Sequence, residues 1–382
     1  MKLLTGLVTV MALTIATSAR ADLNIGVILS LTGPAASLGI PARDAVQLWP
    51  KEIAGQKLHV TILDDASDPT AATLAARKLT TENQIDVLVG PSITPTSLAA
   101  LQVAGDAGTP IITLAGSNAI VLPAEGARRW AFKLPPSEDI QLKFVFDDLK
   151  KKGLRRLAVV AVGNAYGQTF LDVAQKSAQQ AGIEIVDVQR FVATDTSFVA
   201  QTLKLLGVRP DAVFIAAAGT PALLPQLELR SRGYAGQIYQ TQAVANNDFL
   251  RLGGARIEGT LLPVAPMLVA EQLPATNPVR ATAVAYVAKY EAVNGAASRS
   301  LFGGVAWDAY LLIEAAATQV LKKVSPGTPA FRSELRDSLE KLRDIVLTEG
   351  VYSMTAADHN GADVRSQVLV TVREGKWQLA SP

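Results

Sequence analysis

The sequence predicts an α/β protein built as two doubly wound parallel-sheet lobes in series, and three observations carry that reading. Short apolar runs alternate with helix-patterned segments from Leu23 onward. Such alternation builds βαβ units, whose strands are apolar throughout because helices cover both faces of a parallel sheet. The rhythm stops at the proline-marked KLPPSED, Lys133 to Asp139, and then restarts. With 382 residues, 49% of them hydrophobic and only 18% charged, the chain has material for about two ordinary cores.

The first residues, MKLLTGLVTVMALTIATSARA, combine a basic Lys2, an apolar run from Leu3 to Ala16, and Ala19 and Ala21 in an A-x-A arrangement. They are expected to form a signal peptide over residues 1–21, cleaved before Asp22. The apolar run is shorter than the ~20 residues a spanning helix needs. Cleavage removes Lys2 and Arg20, which leaves basic and acidic residues equal at 34 each. That balance offers nothing to nucleic acid or an anionic surface. The chain has no cysteine, hence no disulfide and no thiol to carry a lipid anchor. A freely diffusing periplasmic protein is expected.

In the first lobe the strand LNIGVILSL leads to a helix over ARDAVQLW. That helix should stop early or kink at Trp49-Pro50, where the proline lacks an N–H and its ring clashes with the preceding turn. Then follow KLHVTILDD and the helix PTAATLAARKLTTEN, IDVLVG and PTSLAALQVAGDAG, and PIITLAG. The second lobe runs RLAVVAV, LDVAQKSAQQAG, EIVDVQRF, DAVFIAAAG, LLPQLELRSRG and QIYQTQAV. Past a proline-rich passage, LPVAPM, lie three helical patterns, ATAVAYVAKYEAVNG, GVAWDAYLLIEAAATQVLKK and FRSELRDSLEKLRD. The C-terminal RSQVLVTVREGKWQL reads as a hairpin turning at Glu374-Gly375.

Chemistry-bearing motifs are absent. Two histidines and no cysteine leave little for a zinc or copper site, and His59 is expected at a solvated sheet edge. DHNGAD, Asp358 to Asp363, lacks the spacing and closing glutamate of a calcium loop and reads as a turn. No G-x-S-x-G, G-x-G-x-x-G or G-x-x-x-x-G-K-[ST] occurs, and adjacent Asp64 and Asp65 point to opposite faces of a strand. No catalytic residue, metal or cofactor is expected.

Two uncharged loops stand where an open parallel sheet takes its ligands, past the carboxyl ends of strands. VGPSITPTS offers Ser92 and Thr94, and LAGSNAI offers Ser117 and the bare backbone of Gly116. Hydroxyls beside helix N-termini suit one carboxylate, and they equally suit N-capping.

The stretches IGVILSLTGPAASLG, LDDASDPTAATLAARKLTTENQIDVLVGPSITPTSLA, GTPIITLAGSNA, RRWAFKLPPSEDIQ, NAYGQTFLD and GGVAWDAYLLIEAA fall in order over nearly the whole chain. Through them it resembles the periplasmic substrate-binding proteins of ABC transporters, of the leucine/isoleucine/valine-binding type. The resemblance implies two lobes joined by three crossover strands, closing on a ligand without chemistry, and a monomer delivering its solute to membrane permease subunits. It implies an N-terminal lobe over 22–138 with 266–348 and a C-terminal lobe over 139–265 with 349–382, with crossovers near KLPPSED, LPVAPM and LTEGVYS. It places the carboxylate grip on Thr94 and Ser117 with backbone of Ala115 and Gly116, and the closing tyrosine on Tyr166. Thr220 is counted among the ligand-binding positions. Two positions depart from the amino acid binders: Leu38 replaces an aromatic residue, and Gln242 offers an amide carbonyl where they carry a glutamate for the ammonium. Asp248, six residues on, is expected to be solvated or capping. The expected ligand is therefore an organic acid without an amine, an aromatic acid before an aliphatic one. Free amino acids or amides are the alternative ligands. An exported hydrolase and a cytoplasmic ligand-sensing regulator are the rival functions.

Overall fold

The computed structural model describes residues 21–380. The expected signal peptide lies outside the described residues except for Ala21. One sheet takes β1 (Leu23–Leu29), β2 (Glu52–Ile53), β3 (Gln56–Asp64), β4 (Val87–Val89), β5 (Ile111–Thr113) and β6 (Ala131–Lys133) in the order β2-β3-β1-β4-β5-β6. The second contains β7 (Arg156–Val162), β8 (Glu184–Phe191), β9 (Ala212–Ala216), β10 (Gln237–Gln240) and β11 (Leu261–Val264). A small ribbon pairs β12 (Ile345–Val346) with β13 (Val351–Tyr352), and β14 (Val368–Arg373) and β15 (Lys376–Leu379) complete the second sheet as β15-β14-β11-β10-β9-β7-β8.

The strands pair in parallel except for the β2–β3 turn, the β12–β13 ribbon, and β11–β14–β15 at one edge. The edge hairpin turns at Glu374-Gly375, as the sequence predicts. The passage LPVAPM begins inside a strand, β11, which the sequence reading takes as a proline-rich break. Pro263 is tolerated there because β11 pairs with β10 only at Leu261 and needs no donor from the proline on that side.

The helices are α1 (Ala36–Val46), α2 (Pro69–Thr81), α3 (Thr94–Asp106), α4 (Glu138–Lys151), α5 (Ala165–Ala181), α6 (Val199–Gly207), α7 (Leu223–Ser231), α8 (Asn247–Gly253), α9 (Arg280–Asn294), α10 (Leu301–Val320) and α11 (Pro329–Leu339); α4, α6 and α8 fall in stretches where the sequence reading names no helical pattern, and the others lie on patterns it names. α1 ends at Val46, short of Trp49-Pro50 as expected, but it starts at Ala36, six residues earlier than its pattern suggests, and carries Pro41 inside. Leu38 and Gly39 in this first stretch are buried, so tertiary packing outweighs the local cost of the proline. No helix among the described residues is long and apolar enough to cross a membrane.

Three passages join the two sheets: β6 to α4, β11 to the helices that pack back along α1, and α11 through the ribbon to β14. The first and third are tied together. Asn360 Nδ2 donates to the carbonyls of Lys133 at 2.8 Å and Pro135 at 3.0 Å, and the Tyr352 hydroxyl donates to Leu134 at 2.8 Å. DHNGAD is thus a turn, as expected, and also a clasp. His359 stacks on Phe132, whereas His59 is exposed on β3.

The third passage carries a buried acid pair. Asp308 on α10 accepts the N–H groups of Thr348 at 2.8 Å and Glu349 at 3.0 Å, while neither Glu349 carboxyl oxygen has a partner among the described residues. Burial first, and then the nearby Asp308, push the Glu349 carboxyl well above its ordinary range; burial raises Asp308 as well. Folded values above unfolded ones mean that the native state holds protons the unfolded chain releases. Stability from this pair is therefore full below about pH 4 and is lost as pH rises toward the folded values. Glu349→Gln, neutral at all pH, is expected to flatten this fall and to raise the unfolding temperature at pH 8. Thermal melts from pH 4 to 8 check it; parallel curves for the two proteins would count against it.

Candidate functional site

The carboxyl ends of both sheets face one cavity of about 240 Å³. Gly90, at φ +91°, ends β4, and a Cβ there would lie 2.0 Å from the Ile28 carbonyl oxygen, so only glycine lets the strand turn this close to β1. That turn delivers VGPSITPTS to the cavity wall. Its four hydroxyls have different fates. The Ser92 hydroxyl accepts the Ser30 N–H at 3.1 Å, bracing β4 against β1. Thr96 donates to the Ile93 carbonyl, and Ser97 bonds Thr113 at 2.7 Å. Thr94 Oγ1 is buried, lines the cavity, and has no hydrogen-bond partner among the described residues. It opens α3, which has no side-chain cap, so its first-turn N–H groups lack intrahelical acceptors beside that hydroxyl.

The second loop places Ala115 and Gly116 in the wall. The Ala115 N–H, part of the backbone expected at the ligand, donates to Thr113 Oγ1 at 3.2 Å. Below, the buried Lys133 Nζ donates to the Gly116 carbonyl at 3.1 Å and the Pro135 carbonyl at 2.7 Å. Ser117 does not line the cavity. Its hydroxyl caps the short helix Asn118–Ile120 through the Ala119 N–H at 3.2 Å and meets Thr169 of α5 at 3.2 Å. Expected to grip a ligand carboxylate, Ser117 is found in the capping role open to any serine at a helix start.

From the second sheet, Tyr166, Gln242 and Asn164 reach the cavity. The Tyr166 hydroxyl donates to Thr241 Oγ1 at 3.0 Å, fixing the ring beneath the Gly116 backbone, and burial raises its pKa far above the ordinary phenol value. Asn164 Oδ1 caps α5 through the N–H groups of Tyr166 and Gly167. The Gln242 carbonyl accepts Gln367 Nε2 at 3.0 Å, so it is not the dipole offered to a ligand. Thr220 lies outside the wall, which its neighbours Ala218 and Pro221 form instead. Asp248 pairs with Arg251 at 2.9 Å on an exposed turn of α8, away from the cavity.

Leu38 lines the cavity and meets the other sheet's loops: a Cβ on Gly219 would sit 2.7 Å from its Cδ1. With the Ser117–Thr169 contact, this brings the two carboxyl edges together around the enclosed space. Sequence reasoning missed Leu301, Phe302 and Val305, the start of α10, which form an apolar wall, and Val192 to Thr194 after β8. The GGVAWDAY stretch begins next to Phe302 and contains Val305, but nothing in its pattern marks which side chains face inward. Among the described residues, no aspartate, glutamate, lysine or arginine lines the cavity. Among the described residues, no cluster of three or more potential metal ligands occurs.

A family model described as periplasmic binding protein matches residues 22–375. An extracellular ligand-binding receptor from Rhodopseudomonas palustris HaA2 is 40% identical, with 94% of this chain and all of that one aligned at a TM-score of 0.91. The Leu/Ile/Val-binding protein homolog 3 of Brucella melitensis is 25% identical over 68% of this chain and 72% of its own. A solute-binding protein of an ABC transporter from R. palustris, in complex with benzoate, shares the fold at a TM-score of 0.80, with 22% identity over 94% of this chain and 95% of that one. Two facing doubly wound sheets, three passages between them, and this match over nearly the whole chain agree: the chain belongs to the periplasmic binding protein family, type I fold, branched-chain amino acid type.

Proposed function

We propose that this protein is the exported, monomeric substrate-binding component of an ABC importer that closes, without turnover, on a small organic acid lacking an amine, with aromatic acids preferred. The lobes expected from sequence, 22–138 with 266–348 and 139–265 with 349–382, are the bodies that would move. The observation that carries the reading is the cavity's chemistry: an unpartnered Thr94 hydroxyl at the N-terminus of α3, facing apolar walls with no charged side chain. Helix-terminal N–H groups and a hydroxyl suit a carboxylate. The walls of Leu38, Leu301, Phe302 and Val305 suit an uncharged body. A buried ammonium would find no anionic partner, at a cost of several kcal/mol. The benzoate-bound solute-binding protein supports the reading at the level of the fold alone.

The test is a thermal-shift screen of the mature protein against benzoate-like acids, short-chain acids and branched-chain amino acids. A ligand at 100 times its dissociation constant stabilises by ~2.7 kcal/mol. Micromolar binding of leucine, isoleucine or valine, with no response to the acids, would overturn the proposal. Variants sharpen it. Thr94→Val should weaken acid binding by ~1.5–3 kcal/mol, about ten-fold or more. Ser117→Ala should lower stability by ~1 kcal/mol and leave affinity unchanged. Titration calorimetry separates the two effects.

A further inference from the structure

We infer that Gln367, which does not line the cavity, sets the polarity of Gln242, so that the ligand carries an uncharged hydrogen-bond acceptor on its body, away from the carboxylate. This rests on the carboxylate reading above.

The argument follows a chain of amide orientations. Gln367 Nε2 donates at 2.8 Å to the Ser366 backbone carbonyl, a group that can only accept. That contact fixes which end of the Gln367 amide faces this way. The same Nε2 meets Gln242 Oε1 at 3.0 Å. Turning Gln242 round would set its NH2 group against that donor, so its carbonyl is held toward Gln367. Gln242 is buried and lines the cavity, and no acceptor among the described residues takes its Nε2. The group Gln242 offers a ligand is therefore a pair of N–H donors. A donor closed off in a ligand-filled cavity without an acceptor is costly, and no side chain of the lining is hydrogen-bonded to this one. An ether, carbonyl or phenolic oxygen on the ligand body supplies one, while an ammonium meets donor against donor. The pairing joins residues 125 positions apart, the loop after β10 and the start of β14.

The experiment compares ligands of equal shape. In 3- and 4-methoxybenzoate the ether oxygen accepts a hydrogen bond; in 3- and 4-ethylbenzoate a methylene takes its place. On the native protein the better methoxy isomer is expected to bind about five-fold or more tighter than its ethyl counterpart. Gln242→Met should bring that ratio to about one. Gln367→Leu, which frees Gln242 to turn, should lower it while leaving ethylbenzoate affinity largely unchanged, an outcome a merely structural role would not give. Should Gln367→Leu fail to fold, the Gln242→Met ratio and the native comparison still decide. Equal binding of the methoxy and ethyl acids, or a ratio untouched by both variants, overturns the inference while leaving the carboxylate reading intact. Failure of every benzoate to bind removes both.

Discussion

Replacing Lys133 by methionine is expected to cost about 3 kcal/mol of stability or more and to weaken ligand binding with it. The side chain is fully buried at the end of β6, on the first passage between the sheets. Its ammonium holds two carbonyls, Gly116 in the cavity wall and Pro135 in the passage itself. Nearby, the Glu138 carboxylate is buried too and accepts the Asn118 N–H at 3.1 Å, at the end of the same loop. Methionine fills similar space but leaves both carbonyls without their donor and Glu138 without the attraction of this ammonium. Leaving buried groups unpaired is what makes single-partner removal so costly.

The pH dependence adds a check on Lys133. Burial lowers its pKa to about 8, against the pull of Glu138, Asp139 and Asp358, which raise it. Between about pH 8 and the ordinary lysine value the unfolded chain binds more protons than the folded one, so this group adds stability as pH rises through that window. Urea unfolding of native protein and Lys133→Met at pH 7 and pH 9.5 should show the gap between them widening at the higher pH. A loss under 1 kcal/mol at pH 7 would mean that the carbonyls and Glu138 find other partners.

The parts of this site legible in the sequence are those governed by local pattern. The βα rhythm locates the strand ends, and the two hydroxyl loops fall there because parallel sheets present their loops at the carboxyl edge. Pattern cannot show how a hydroxyl is used. Ser92, Thr94, Thr96 and Ser97 look alike in VGPSITPTS, yet three are engaged by Ser30, Ile93 and Thr113, and of the two that line the cavity, Ser92 and Thr94, it is the Thr94 hydroxyl that has no partner among the described residues. Ser117 is taken by its own helix start. The apolar wall from Leu301, Phe302 and Val305 and the Gln367 brace depend on chain crossings more than a hundred residues long, which no periodicity records. The early start of α1 across Pro41 is likewise a tertiary effect, where buried Leu38 and Gly39 prevail over a poor helix former.

The same brace makes Gln242→Glu the most diagnostic single change. Gln367 Nε2 already donates to the side-chain oxygen at position 242, so a glutamate keeps that bond and turns its second oxygen, instead of the NH2 group, toward the ligand. The substitution adds one negative charge to a cavity whose lining has none. For an acid without an amine, two anions would then share a closed apolar space, and binding should weaken by ~3 kcal/mol or more, over a hundred-fold. For leucine the new carboxylate supplies the anionic partner that the native lining does not offer its ammonium, so the variant should bind leucine measurably tighter than native protein does. Calorimetry at pH 8 with benzoate and leucine on both proteins reads this exchange directly. If the variant holds benzoate within about three-fold of native, or if native protein binds leucine as tightly as the variant does, then Gln242 is not what excludes amino acids. The loss of the acid and the gain of the amine must appear together, because both follow from one charge at one position.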